Sequence, residues 1–227
     1  MHSAGLRTLA NRADKAELYM KKLSKLQKGD TVAILSPSFA APGKFPQVYE
    51  LGLKRIRDVF GLETIAFPTT AKLGAPKEER AADLIAAFEN QKVKAVIASI
   101  GGDDQVTYIK NLPHVAFTDN QKPFFGYSDN SHFCNYLFLN GIPSYYGGSL
   151  FTQFAMQGAM DDYTIRYLNY ALFMEGEFEL VASETYNDVG LRWDNPEFLK
   201  QTRQHWLNTG HIWTAIIAQK AFCGEVV

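Results

Sequence analysis

The stretch VKAVIASIGGDD, running from Val93 to Asp104, decides the fold. A strand with one face in water alternates apolar and polar residues, because successive side chains point to opposite faces. Between Val93 and Ile100 there is no sustained alternation, and Lys94 carries the only charge. The segment therefore predicts a strand covered on both faces, which is the habit of parallel sheets. The glycine pair and the acids end it at a turn.

The same rhythm extends outward on both sides. TVAILSPS, from Thr31, is an earlier apolar run closed by Ser and Pro, and ETIAFP, from Glu63, is another. Between them, FPQVYELGLKRIRDVFG carries Val48, Leu51, Ile56 and Phe60 at helical spacing and stops at Gly61. PKEERAADLIAAFEN has Pro76 at its start, acids in its first turn and an apolar face of Leu84, Ile85 and Phe88. Downstream, KPFFGYSD predicts a fourth strand, NSHFCNYLFLNG a helix, and PSYYGGS a fifth strand or loop. DDYTIRYLNYALF predicts a further helix capped by Asp161 or Asp162. Short apolar strands alternating with amphipathic helices define an α/β protein, a parallel sheet sandwiched by helices. After Met174 the periodicity decays, and residues 175–227 read as an irregular linker followed by the start of a second domain. Residues 1–27 read as a helical extension, with Leu18, Met20, Leu23 and Leu26 on one side.

Composition narrows the function. The 227 residues carry 23 Lys+Arg against 24 Asp+Glu, a formal charge of -1, which gives no electrostatic footprint for nucleic acid or an acidic membrane. No run reaches the roughly 18 apolar residues of a membrane span. Cys134 and Cys223 are too few for a disulfide framework or a thiolate cage and fit a reducing, cytoplasmic setting. His and Cys at metal-binding spacings are lacking, as are the glycine patterns of dinucleotide and phosphate loops, so neither metal nor cofactor is expected.

In open parallel sheets, ligands bind beyond the carboxyl ends of the strands. Three post-strand loops carry unusual residues there: SPSFAAPG, GGDDQ and GYSDNS. Ser128 lies between a buried strand and a helix, where free amides and the helix N-terminus favour a developing oxyanion; Asp129 follows and Gly126 relieves crowding. The alternative is that Ser128 or Asp129 caps the helix. Gly101 or Gly102 can lend an oxyanion amide, and the alternative is an ordinary turn capped by Asp103. Ser36 and Ser38 can cradle a carboxylate or phosphate, or form a Pro-rich turn. A serine nucleophile also needs a base. His132 lies in the helix after Ser128, pointing away from its attack side, and His205 and His211 lie in the irregular tail.

Taken in order, KGDTVAILSPS, FPQVYELGLKRI, PKEERAADLIAAFENQKVKAVIASIGGDD, FFGYSDNSHF and SYYGGSLFTQFA resemble the LD-carboxypeptidase family of serine peptidases, and in particular its microcin C immunity-protein-like branch. The resemblance covers about Lys28 to Phe173. It implies a flavodoxin-like domain over residues 28–174, with Ser128 as nucleophile and the backbone of Asp129 and of Gly101 or Gly102 as oxyanion hole. Apart from the resemblance, Ser36, Ser38 and Asp103 are candidate substrate contacts. The implied chemistry is release of a C-terminal residue, through an acyl-enzyme, from a cell-wall peptide or a peptidyl-nucleotide. A homodimer is an option. The family's base is a histidine oriented by a glutamate, both in a C-terminal domain. The resemblance fades after Trp193, reaches AFCGEVV at Ala221–Val227, and carries neither residue onto this sequence. The expectation is a nucleophile-bearing domain with a truncated or divergent second domain and impaired turnover. A non-catalytic peptide- or nucleotide-binding module is the alternative, and a flavin-binding protein a third reading on fold alone.

Overall fold

The computed structural model describes residues 22–187 and 192–209; residues 1–21, His211 and Cys223 lie outside them. Five strands, β1 (Thr31–Leu35), β2 (Glu63–Ala66), β3 (Val93–Ala98), β4 (Phe124–Gly126) and β5 (Tyr145–Tyr146), form one parallel sheet in the order β2-β1-β3-β4-β5. This is the flavodoxin-like order, and the chain reverses its winding direction between β1 and β3. β3, central in the sheet, is buried except at Lys94.

Period-2 geometry distributes the two central strands between two cores. Val32 and Ile34 of β1 join Ala95 and Ile97 of β3 on one face. There they meet Val48, Ile56 and Phe60 of helix α2 (Pro46–Phe60), which follows the short helix α1 (Ala41–Lys44). Ala33, Leu35, Val96 and Ala98 face the opposite way, onto Leu84 and Phe88 of helix α3 (Lys77–Glu89). Between β3 and β4 the chain makes two short helices, α4 (Val106–Ile109) and α5 (His114–Thr118), which the sequence pattern does not announce. Helix α6 (Ser131–Leu139) adds Phe133 to the second core, in edge-to-face contact with Phe88, Phe117 and Phe124. Burying such aromatic clusters is the largest single contribution to a core of this kind. Gly61 ends α2 in the left-handed conformation (φ 67°), its amide bonded to the Arg57 and Ile56 carbonyls.

Helix α7 (Asp162–Phe173) follows a π-helical turn at Leu150–Phe154. Asp161 occupies its N-cap position but does not cap it with its side chain, contrary to expectation. Its carboxylate instead accepts from Arg203 and His205. Two further expectations are revised. Residues 22–27 are not helical, and Leu26 is buried in the first core, with its amide bonded to the Leu172 carbonyl. The later segment is not merely irregular. Trp193 packs edge-on against Phe45 and Phe151, and strands β6 (Thr185–Tyr186) and β7 (Trp206–Leu207) pair antiparallel. No helix among the described residues is long and apolar enough to cross a membrane.

Candidate active site at the carboxyl end of the sheet

β4 ends at Gly126, and the chain turns through Tyr127 and Ser128 into a 3-10 turn (Ser128–Asn130) that runs on into α6. Ser128 adopts φ 60°, the only positive φ of a non-glycine among the described residues. Left-handed backbone at such a residue is strained, and strain of this kind gathers at functional turns. The strand-to-helix elbow that lifts a nucleophile above a sheet has this conformation. Gly126 makes the turn feasible, since a Cβ there would stand 2.9 Å from Asn130 Cβ and 3.0 Å from the Phe124 ring. Ser128 is exposed, so the alternative of a helix-capping serine is not what its geometry shows; no side-chain cap bond forms at either turn.

The loop after β3 closes on this elbow. A Cβ placed on Gly101 would lie 2.8 Å from Ser128 Cβ, 2.9 Å from its Oγ and 3.3 Å from the Asp129 amide nitrogen. One placed on Gly102 would lie 1.9 Å from Ser38 Oγ. Neither position tolerates a side chain, which accounts for the glycine pair. Among the described residues, the amides of Gly101, Gly102 and Asp129 have no acceptor. A cleft of about 460 Å³ opens here, lined by Phe39, Ile100, Gly101, Gly102, Asp103, Tyr127 and Ser128.

Side chains behind the cleft hold the loops. Asp129 Oδ2 accepts from Ser38 Oγ (2.5 Å) and from the amides of Asp104 (3.1 Å) and Gln105 (2.9 Å). Asn130 donates to the Ile100 and Tyr127 carbonyls and accepts from Gln105 Nε2, whose Oε1 accepts from the Phe133 amide. Arg80 forks onto both Asp104 oxygens (2.7 and 2.6 Å) and donates to the Pro37 and Ser38 carbonyls. Its hydrogen bond is the main cause holding the Asp104 carboxyl below its ordinary range, and the same bond raises the Arg80 guanidinium above its own.

The sequence-derived residues separate accordingly. Ser128, Gly101, Gly102 and Asp103 share the cleft, and the Asp129 amide lies beside it. Ser38 is buried behind it, its hydroxyl given to Asp129. Ser36 is buried deeper and bonded to the Thr70 carbonyl and Ser99 Oγ, so it is not presented to a ligand. The alternative of a turn capped by Asp103 is not what forms; the Asp129 carboxylate holds the turn amides of Asp104 and Gln105. His132 stands one turn into α6 with Nε2 3.6 Å from Asp129 Oδ1, and His205 pairs with Asp161. Neither bonds Ser128. Sequence reasoning missed Arg80, Gln105 and Asn130. A run such as KEER reads as a solvated first turn, and only packing reveals that Arg80 is 6% exposed.

An exposed serine on a strained strand-to-helix elbow, backed by a double-glycine loop at the carboxyl end of the sheet, defines a class: flavodoxin-like α/β proteins with a cleft above the central strands. Residues 32–147 match the family profile described as the LD-carboxypeptidase N-terminal domain, and the chain belongs to that family. A Treponema pallidum (strain Nichols) protein provisionally named a carboxypeptidase is 31% identical over 175 residues, 74% of this chain and 50% of its own. YocD of Bacillus subtilis (strain 168), provisionally named likewise, is 28% identical over 199 residues, 83% of this chain and 57% of its own. The solved microcin C7 self immunity protein MccF superposes with a TM-score of 0.76 at 21% identity, over 82% of this chain and 57% of its own. The chain thus spans about half the length of the curated relatives it matches.

Proposed function

We propose that this chain bears the nucleophile of a serine-type carboxypeptidase or amidase. Ser128 Oγ attacks the carbonyl carbon of a C-terminal amide, and its proton passes to a general base. The amides of Asp129 and of Gly102 or Gly101 stabilise the oxyanion, the amine leaves with a proton, and water hydrolyses the resulting serine ester. The observation that carries this reading is the φ of 60° at Ser128, an exposed hydroxyl beside amides that have no acceptor among the described residues. The substrate is a cell-wall peptide or a peptidyl-nucleotide. MccF has been solved with aspartyl sulfamoyl adenosine, an aminoacyl-nucleotide analogue, and an opening of about 460 Å³ with Phe39 and Tyr127 in its walls has room for part of such a molecule.

The described residues bring no histidine or lysine into hydrogen bonding with Ser128. An unassisted serine keeps about 10³–10⁴-fold acceleration from the oxyanion hole and binding. With Ser128 unassisted by any histidine or lysine among the described residues, slow turnover is the proposed behaviour. The same observation favours a second reading, a non-catalytic module whose rim holds a peptide carboxylate or a nucleotide. Incubation with a fluorophosphonate and peptide mapping by mass spectrometry tests both. Slow labelling confined to Ser128 and lost in Ser128→Ala is expected. Labelling at an ordinary hydrolase rate would remove the argument for slow turnover, and no adduct at Ser128 after prolonged exposure would favour the binding module.

A further inference from the structure

Arg80 sits on α3 and is not among the residues that line the cleft; its hydrogen bonds go to Pro37, Ser38 and Asp104. Its guanidinium is nevertheless buried and fixed on several sides. It donates to the Pro37 and Ser38 carbonyls (both 3.1 Å) in the loop after β1, and it grips both oxygens of Asp104 in the loop after β3. It also lies 5.6 Å from the ring centre of Tyr108, whose hydroxyl donates to the same Pro37 carbonyl. Asp129, one residue beyond Ser128, reaches back to Ser38 Oγ and to the Asp104 amide. Arg80, Asp104, Ser38 and Asp129 thus form one chain of alternating donors and acceptors tying together the three loops that follow β1, β3 and β4.

Stability gives a weak reason to keep such a group. Burying a guanidinium costs desolvation, and the half-exposed, water-screened Asp104 repays little of it. Here the cost is higher still, because Arg80 Nε is buried with no hydrogen-bond partner among the described residues. What a forked guanidinium supplies that an apolar side chain cannot is fixed direction toward several acceptors at once.

We propose that Arg80 is a positioning residue: through Asp104 and the Pro37 and Ser38 carbonyls it sets where the Gly101–Gly102 amides and the Asp129 amide stand relative to Ser128 Oγ. This rests on the reading of Ser128 as nucleophile. An oxyanion donor misplaced by about 1 Å by a change remote from the chemistry can cost on the order of 100-fold. No residue lining the cleft is itself replaced in an Arg80 variant, and a shift of the oxyanion donors bears on the transition state more than on the bound ligand, so capture of a ligand should be largely spared while the bond-forming step slows.

The test separates those two constants with a fluorophosphonate on the full chain. In Arg80→Met and Arg80→Lys, the maximal rate of Ser128 modification is expected to fall about 10- to 100-fold, with the half-saturating probe concentration within about twofold of wild type. Lysine keeps the charge without the fork and is not expected to rescue. Arg80→Met/Asp104→Asn removes both charges and keeps the question open to measurement if the single variant folds poorly; it too should be slow. Wild-type modification rates in the folded variants would overturn the proposal. If wild type itself forms no adduct at Ser128, the nucleophile reading fails separately. Amide hydrogen exchange then decides the remainder: faster exchange at Asp104 and Gln105 in Arg80→Met upholds the loop-holding role, and unchanged exchange overturns it.

Discussion

At the scale of single residues, Ser128 holds the backbone in a region that an L side chain enters at a cost. That cost gives a stability signature independent of activity. Ser128→Gly and Ser128→Ala both delete the hydroxyl, but only glycine relaxes the left-handed turn. Ser128→Gly should exceed Ser128→Ala in stability by about 0.5–1 kcal/mol in urea titration, after the greater unfolded-state freedom of glycine is deducted. Equal stabilities would mean that the turn is unstrained. Gly101→Ala places a methyl 2.9 Å from Ser128 Oγ. It should abolish Ser128 labelling, and its stability loss of about 1–3 kcal/mol comes from the forced backbone shift.

At the scale of elements, buried polar pairs fasten α6 and the loop after β3 to the elbow. Gln105 and Asn130 are both fully buried, and Gln105 links the Asn130 carboxamide to the Phe133 amide at the start of α6. Gln105→Ala takes that partner from the buried Asn130 Oδ1 and from the Phe133 amide and should cost about 1–3 kcal/mol, measured by chemical denaturation. The Arg80–Asp104 pair adds a pH dependence whose sign is fixed. The Asp104 carboxyl titrates below its unfolded value of 3.8, because Arg80 bonds its charged form. Above the unfolded value both states are ionised and the contribution is complete; it is lost as pH falls through the lower folded value. Arg80→Met should therefore flatten the loss of stability in acid below about pH 4, by an amount moderated by the half-exposure of Asp104. An unchanged acid limb would show that the pair is not the titrating element.

At the scale of the molecule, the described residues beyond α7 are docked on the sheet-and-helix body by specific contacts. Trp193 lies against Phe45 and Phe151, its carbonyl accepts from Gln47, and Arg203 reaches Asp161. Trp193→Ala should cost about 2 kcal/mol, toward the lower end for a half-buried aromatic, and should expose residues 192–209 to limited proteolysis. Labelling at Ser128 should survive, because none of these contacts involves the three loops of the cleft. Loss of labelling would couple that segment to the elbow.

The sheet was legible because period and burial are written residue by residue: Val93–Ala98 lacks alternation, Pro76 and Gly61 bound their helices, and the order of elements then admits few parallel topologies. The glycine pair and Ser128 were each ambiguous locally, with a turn or capping alternative, because such residues suit any tight turn; only the order of motifs along the chain set them together, and the fold brings them into one cleft. What the sequence could not determine was which polar side chain faces which loop. Ser36 and Ser38 are spelled alike, yet one bonds Thr70 and Ser99 just past the strand ends and the other holds Asp129, and Arg80 sits in a run that reads as solvated surface. Those choices depend on distances between segments 24 to 91 residues apart, which only the folded chain brings within a hydrogen bond.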